Sequence, residues 1–173
     1  MGWYLALIGA TALERLAELV VSQRHARWAF ARGGVESGRS HFPPMVALHS
    51  LLLVACVAEA VLADRPFLPW LGWPMLALVL ASQALRWWCV ASLGNQWNTR
   101  VIVVPGMSLV SRGPYAFMRH PNYVAVVVEG FALPLVHSCW ITAAAFTVLN
   151  AVLLLRWRIP VEERALRQAD LVG

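Results

Sequence analysis

The sequence predicts an all-α integral membrane protein with five transmembrane helices, its N-terminus outside and its C-terminus in the cytoplasm. Three observations predict it. The 173 residues are 60% hydrophobic and 13% charged, with a mean hydropathy of +0.62; a soluble domain carries about 25% charged residues. Five apolar runs approach the roughly 20 residues that a helix needs to cross a bilayer. The arginines segregate between alternate connections, as cytoplasmic loops require.

The first run covers residues 2–21 and contains Glu14, Arg15 and Glu18. It lacks a basic flank and a small-residue cleavage site, so it reads as a retained span rather than a signal peptide. The second run covers 43–63 and the third 68–91. The fourth, 122–136, and the fifth, 140–157, are separated only by a short turn at His137 and Ser138, which makes them an antiparallel helical hairpin. The first connection contains RGGVESGRSHF; its glycines and charges make it a loop, with an interfacial helix before it. The third connection, 92–121, is the longest, and loops of this length are often functional. Within it residues 99–104 are largely β-branched and precede Pro105-Gly106, the pattern of a short hairpin or bent extended segment. Asn95, Gln96, Trp97 and Asn98 come just before and bring amide hydrogen bonds. The tail, 158–169, is a charged helix running off the fifth span. With no internal repeat, the chain reads as one domain, 1–173.

All fourteen basic residues are arginine. Arg24, Arg27, Arg32 and Arg39 lie in the first connection, Arg100, Arg112 and Arg119 in the third, and Arg156, Arg158, Arg164 and Arg167 in the tail. Five spans place all of these on one side, against Arg65 alone on the other; four or six spans break the segregation. Trp3, Tyr4, Trp70, Trp73 and Trp140 are then placed as an outer aromatic belt, and Trp87, Trp88 and Trp157 as an inner one. The net charge of +5 fits loops facing an anionic leaflet better than nucleic acid, because no aromatic-basic stripe exists outside the apolar runs. Cys56, Cys89 and Cys139 are odd in number and show no CxxC spacing, so neither a disulfide framework nor a metal site is expected.

Ionisable groups inside spans are costly and face the bundle interior or a wet cavity. At about 1.5 Å per residue, Glu14, Arg15, Glu18, His49, Gln83, Arg86, Glu129 and Asn150 all fall in the inner half. The expectation is that they converge on one cavity, open to the cytoplasm under the third connection. Arg15 and Glu18 are spaced to neutralise each other, and Glu129 is available to Arg86. Only Glu59 lies towards the outer end, so no polar path crosses the membrane, which argues against a channel or pump.

The stretch SRGPYAFMRHPNY, residues 111–123, concentrates two arginines, a histidine, two prolines and two tyrosines where the chain enters the fourth span. Pro121 suits the first turn of a helix, where its missing N–H costs nothing. Arg119 and His120 are thereby placed at the membrane edge. Glu162 and Glu163 are acidic residues just beyond an arginine-rich helix end. Either Glu163 bridges Arg167 on a solvated helix, or the pair binds a cation or ligand hydroxyls facing His120.

GPYAFMRHPNY, the apolar hairpin and RIPVEERAL together resemble the isoprenylcysteine carboxyl methyltransferase family, part of a wider group with phospholipid N-methyltransferases and membrane sterol reductases. The likeness covers residues 93–166. The first half resembles bacterial members thought to methylate polyketide-type lipids. The resemblance implies S-adenosylmethionine bound on the cytoplasmic side of a bacterial inner membrane, covered by the third connection and the tail. It implies cofactor-binding residues at Tyr115, Arg119, His120, Pro121, Tyr123, Glu162 and Glu163, and catalytic residues at Arg158, His120 and Glu163. Asn98-Thr99-Arg100 stands where a prenyl-protein site would be sought, so the expected partner is a lipophilic small molecule within the bilayer.

The implied chemistry fits these side chains. Methyl transfer from a sulfonium needs donor and acceptor positioned about 3 Å apart and little covalent help. A cationic sulfonium suits aromatic faces and exclusion of water. An arginine fork suits a carboxylate, and the glutamates suit an amine or ribose hydroxyls. An acidic acceptor, a carboxyl or an enolic or phenolic hydroxyl, needs no strong base. Three alternatives compete. One is phospholipid N-methylation, and one is a non-enzymatic lipid-binding protein. The third, a nicotinamide-dependent reductase of a polycyclic lipid, is disfavoured by the short tail and the lack of a GxGxxG after a strand.

Overall fold

The computed structural model describes residues 1–172, with side chains to Gln168, and is predominantly helical. The helices are α1 (Gly2–Phe30), α2 (Phe42–Leu62), α3 (Pro69–Leu93), α4 (Pro121–Leu135), α5 (Trp140–Leu153) and α6 (Ile159–Val172). Two short strands, β1 (Val35–Ser37) and β2 (Val101–Val103), form an antiparallel ribbon with Val35 opposite Val103. Pro starts α3 and α4 in the first turn, where its ring pre-sets the helical φ.

Among the described residues, three helical stretches are long and apolar enough to cross a membrane: Arg39–Leu62, Pro69–Gln96 and Trp140–Gln168. The last is continuous because a π-helical segment, Leu154–Arg158, joins α5 to α6. The other two predicted spans differ in kind. The helix α1 is 29 residues long but carries charges midway. The 15 residues of α4 extend about 22 Å, less than the roughly 30 Å of a hydrocarbon core.

The apolar core forms where α1, α2, α3 and α4 meet, around Tyr4, Leu52, Cys56, Val79, Leu133 and Val136. Tyr4 is fully buried and donates its hydroxyl to the Leu133 carbonyl at 3.1 Å; its place is the core, not an outer belt. The helix α4 also packs closely on α5. A Cβ at Gly130 would overlap the Phe146 ring, so only glycine permits this approach, and Phe146 is itself buried. On the far end from the motif, Glu59 of α2 accepts from the Thr142 amide (2.7 Å) and hydroxyl (2.7 Å) and pairs with Arg65 at 2.9 Å. A carboxylate from one helix thus satisfies the first free N–H groups of the next.

The in-span charges form an interhelical ion network. Glu18 takes the Arg86 guanidinium through both Nε and Nη2, the latter at 2.7 Å, and Arg15 at 2.8 Å. Arg15 reaches on to Glu129 at 2.6 Å and to Gln83 at 3.2 Å. The predicted neutralisation of Arg15 by Glu18 therefore occurs. Glu129 is held by Arg15, and Arg86 is bonded to Glu18 instead. His49 stays within α2, its Nδ1 2.8 Å from the Met45 carbonyl, a satisfied core histidine.

The third connection folds over the end of the bundle that carries the start of α4. Its extended segment does not fold back on itself; β2 pairs with β1 of the first connection. Two further anchors hold it. Asn98 donates to the Ser22 carbonyl of α1 at 3.0 Å. Gly113 adopts a left-handed φ of 59° against Ser92 and Trp88, and the adjacent Arg112 donates to the Ser92 carbonyl at 3.1 Å. A left-handed residue in close contact requires glycine, which sets the direction in which the next ten residues leave α3.

Candidate functional site

A cavity of about 600 Å³ lies beneath this connection, within the range of small-molecule sites. Its walls come from the end of α1, the third connection, the start of α4 and the α5–α6 junction. Tyr115, Arg119, His120, Tyr123, Arg158, Glu162 and Glu163 all line it. Pro121, the remaining predicted residue, is buried and serves as the first residue of α4 rather than as lining.

The junction segment explains how the tail reaches the motif. A π turn adds a residue to the turn and rotates the downstream helix about its axis. Arg156 faces out, while Arg158 is buried and donates Nε to the Tyr123 hydroxyl at 3.0 Å. Tyr123 donates that hydroxyl to Glu162. The His120 ring stacks on Tyr123, with centroids 5.5 Å apart. Its Nδ1 lies 3.5 Å from Glu162 and its Nε2 3.4 Å from Glu163. The structure brings His120 and Glu163 together across 43 positions of sequence, and Tyr123 and Glu162 across 39. Glu163 is also 3.9 Å from Arg167 at i,i+4, so it approaches a neighbour on its own helix while facing His120.

The Glu162 carboxylate beside the ring raises the His120 pKa, with Glu163 adding to the rise and burial opposing it. Burial also raises that of Tyr115, so its phenol stays neutral. A raised folded-state value means that the imidazolium contributes stability in full below the unfolded value, about 6.5. That contribution is lost as pH rises through the folded value. The thermal midpoint of the wild-type chain should therefore exceed that of His120→Gln most at about pH 6, with the gap narrowing towards about pH 8. A gap that widens with pH contradicts this geometry.

The same cavity gathers residues that the sequence does not single out. Trp28 lies beyond the apolar run of α1 and is invisible to a span search. Asn122 sits inside the RHPNY motif, lines the cavity and has one buried, unbonded oxygen; its place between two motif residues was the available signal. Arg100 reaches the rim, 3.3 Å from Glu36 of β1. The polar groups midway along the helices take no part: Glu14, Arg15, Glu18, His49, Gln83, Arg86, Glu129 and Asn150 are absent from the described lining. The expectation of a single convergent cavity divides into a ligand-sized chamber and a separate ion network.

Comparison with known proteins agrees with this arrangement. The chain is 38% identical over 163 residues to the uncharacterized protein YpbQ of Bacillus subtilis (strain 168), covering 94% of this chain and 95% of that one. It is 24% identical over 155 residues to an uncharacterized protein of Haemophilus influenzae, covering 88% of each. Residues 75–168, which contain most of α3, the cavity roof, the motif and the paired glutamates, match the Isoprenylcysteine carboxyl methyltransferase (ICMT) family. A helical chain with membrane-length apolar helices and this match over more than half its length belongs to the isoprenylcysteine carboxyl methyltransferase family.

Proposed function

We propose that the chain transfers a methyl group from S-adenosylmethionine to the oxygen of a lipophilic acceptor at the cytoplasmic face of a bacterial inner membrane. One observation carries this reading. His120, Tyr123, Arg158, Glu162 and Glu163 leave two segments distant in sequence and share one chamber. The donor set suits the cofactor. Glu162 and Glu163 present carboxylates for its amine and ribose hydroxyls, Arg119 a guanidinium for its carboxylate, and Tyr115 and Tyr123 aromatic faces for its sulfonium. When bound, that cofactor supplies an electrophilic methyl group.

The remaining residues act on the acceptor and its surroundings. Arg158 is buried, and among the described residues only Tyr123 hydrogen-bonds it. The rest of its fork is free to orient an acidic oxygen. Methylation of a carboxylate or enolate oxygen releases no proton, so no strong base is required. His120 fixes the glutamates and with Glu163 closes one wall. The third connection contributes apolar lining, with Val103, Val104, Met107 and Leu109. Met107 and Leu109 are also exposed, which opens a greasy path for an acceptor tail.

Arginine placement supports five spans with the chamber on the cytoplasmic side. In that reading α1 crosses with its charges neutralised, and α4 crosses with a locally thinned bilayer. The test is incubation of the purified chain with labelled S-adenosylmethionine and a total lipid extract, followed by mass spectrometry. One lipid class gaining a single methyl on oxygen is expected. No labelled lipid, or label on a headgroup nitrogen, overturns the reading.

A further inference from the structure

Buried polar atoms are hydrogen-bonded in nearly all native structures, so an orphan beside a chamber asks for a ligand. Among the described residues, three buried orphan atoms belong to side chains lining the chamber: Trp97 Nε1, Asn122 Oδ1 and His120 Nδ1. The histidine atom has the Glu162 carboxylate at 3.5 Å. That leaves one atom that can only donate and one amide oxygen that accepts.

Trp97 is only 2% exposed, and its place is built rather than incidental. His25 of α1 approaches the Trp97 carbonyl with Nδ1 at 2.8 Å and sets its ring edge-on to the indole, centroids 6.3 Å apart. The next residue, Asn98, is bonded to the Ser22 carbonyl. A residue whose main chain is anchored at two points on α1, with its side chain's only polar atom unpaired, is costly as structure alone. Asn122 follows Pro121 in the first turn of α4, so its backbone is equally constrained.

We propose that Trp97 and Asn122 recognise the adenine edge of the methyl donor, Trp97 Nε1–H donating to a ring nitrogen and Asn122 Oδ1 accepting from the exocyclic amino group. The inference rests on the reading of the chamber as the methyl-donor site. Adenine matches the pair because it carries an amino donor flanked by ring-nitrogen acceptors. Hypoxanthine does not, since a carbonyl oxygen replaces the amino group and would face the Asn122 oxygen. A lipid tail offers neither partner. Aromatic faces for the base are at hand in Trp28 and Tyr115 on the same chamber.

The test measures binding, not turnover, on the full chain in detergent micelles by calorimetry. The probes are S-adenosylhomocysteine and S-inosylhomocysteine. Wild type is expected to prefer the adenosyl compound at least about tenfold, the scale of one buried hydrogen bond against an unpaired polar group. Trp97→Phe, which keeps the ring and removes the N–H, should weaken S-adenosylhomocysteine about five- to tenfold. Asn122→Ala, at a position where alanine favours the helix, should reduce the adenosyl preference to within about twofold. The inference is overturned if wild type binds the adenosyl compound but Asn122→Ala keeps the full preference, or if Trp97→Phe binds it as wild type does. Wild type that binds neither compound overturns the donor site itself, and this assignment with it.

Discussion

Arg158→Ala is expected to lower the rate of methyl transfer to the lipid acceptor by about 10²–10³, the usual loss when one fixed charge-stabilising donor is removed. The expectation follows from position. Arg158 is 6% exposed, and its Nε is committed to Tyr123, which in turn bonds Glu162. The guanidinium is therefore held at one end and presented at the other. Arg158→Lys keeps the charge but replaces a planar fork by a single mobile ammonium, so it should recover no more than about a tenth of the rate. Initial rates with the lipid identified by mass spectrometry, and S-adenosylhomocysteine binding measured in parallel, separate the roles. Binding retained within a few-fold places Arg158 on the acceptor. Unchanged rates in both variants would remove it from the site.

The second large effect concerns stability. Glu18 is 2% exposed and Arg86 7%, and Arg86 gives Glu18 two hydrogen bonds. Glu18→Leu strands a buried guanidinium, which should cost about 3–5 kcal/mol. The double variant Glu18→Leu/Arg86→Leu removes both charges and leaves Arg15 on Glu129. It should recover most of that loss, because a well-packed apolar pair often equals or exceeds a buried ion pair. Denaturant unfolding in micelles reads both. A double variant no more stable than the single would show that the pair does more than satisfy itself. Neither substitution touches the described chamber lining, so S-adenosylhomocysteine binding by the double variant should stay near that of wild type.

The long elements were legible in the sequence because hydropathy over 15 to 25 residues depends little on partners. The start of α3 and both ends of α4 fall within a residue of their predicted places. The helix α1 was underestimated at its C-terminal end. Polar residues 22–30 stop the hydropathy signal, but no helix breaker arrives before Gly33 and Gly34. Partner choice was not legible. Whether Arg86 meets Glu129 or Glu18 depends on the rotation of α1 and α3 about their axes, and hydropathy alone carries no such angle. The pairing of β1 with β2 was equally hidden, since Val35-Glu36-Ser37 is short and only one of its residues is β-branched. The chamber residues were legible for a different reason. A histidine before a helix-starting proline and two acids after an arginine-rich helix end are anomalies in composition, and anomalies at a membrane edge point to ligands.

The ribbon joining Val35 to Val103 also bears on how the protein is made. A ribosome delivers β1 early, but its partner strand emerges only after α2 and α3 have been handed to the bilayer. The roof stays unpaired throughout that interval, and α6, which carries the two acids, arrives last of all. Chains truncated by stalled translation before residue 159 would lack Glu162, Glu163, Leu166 and Arg167 and leave the chamber without that side.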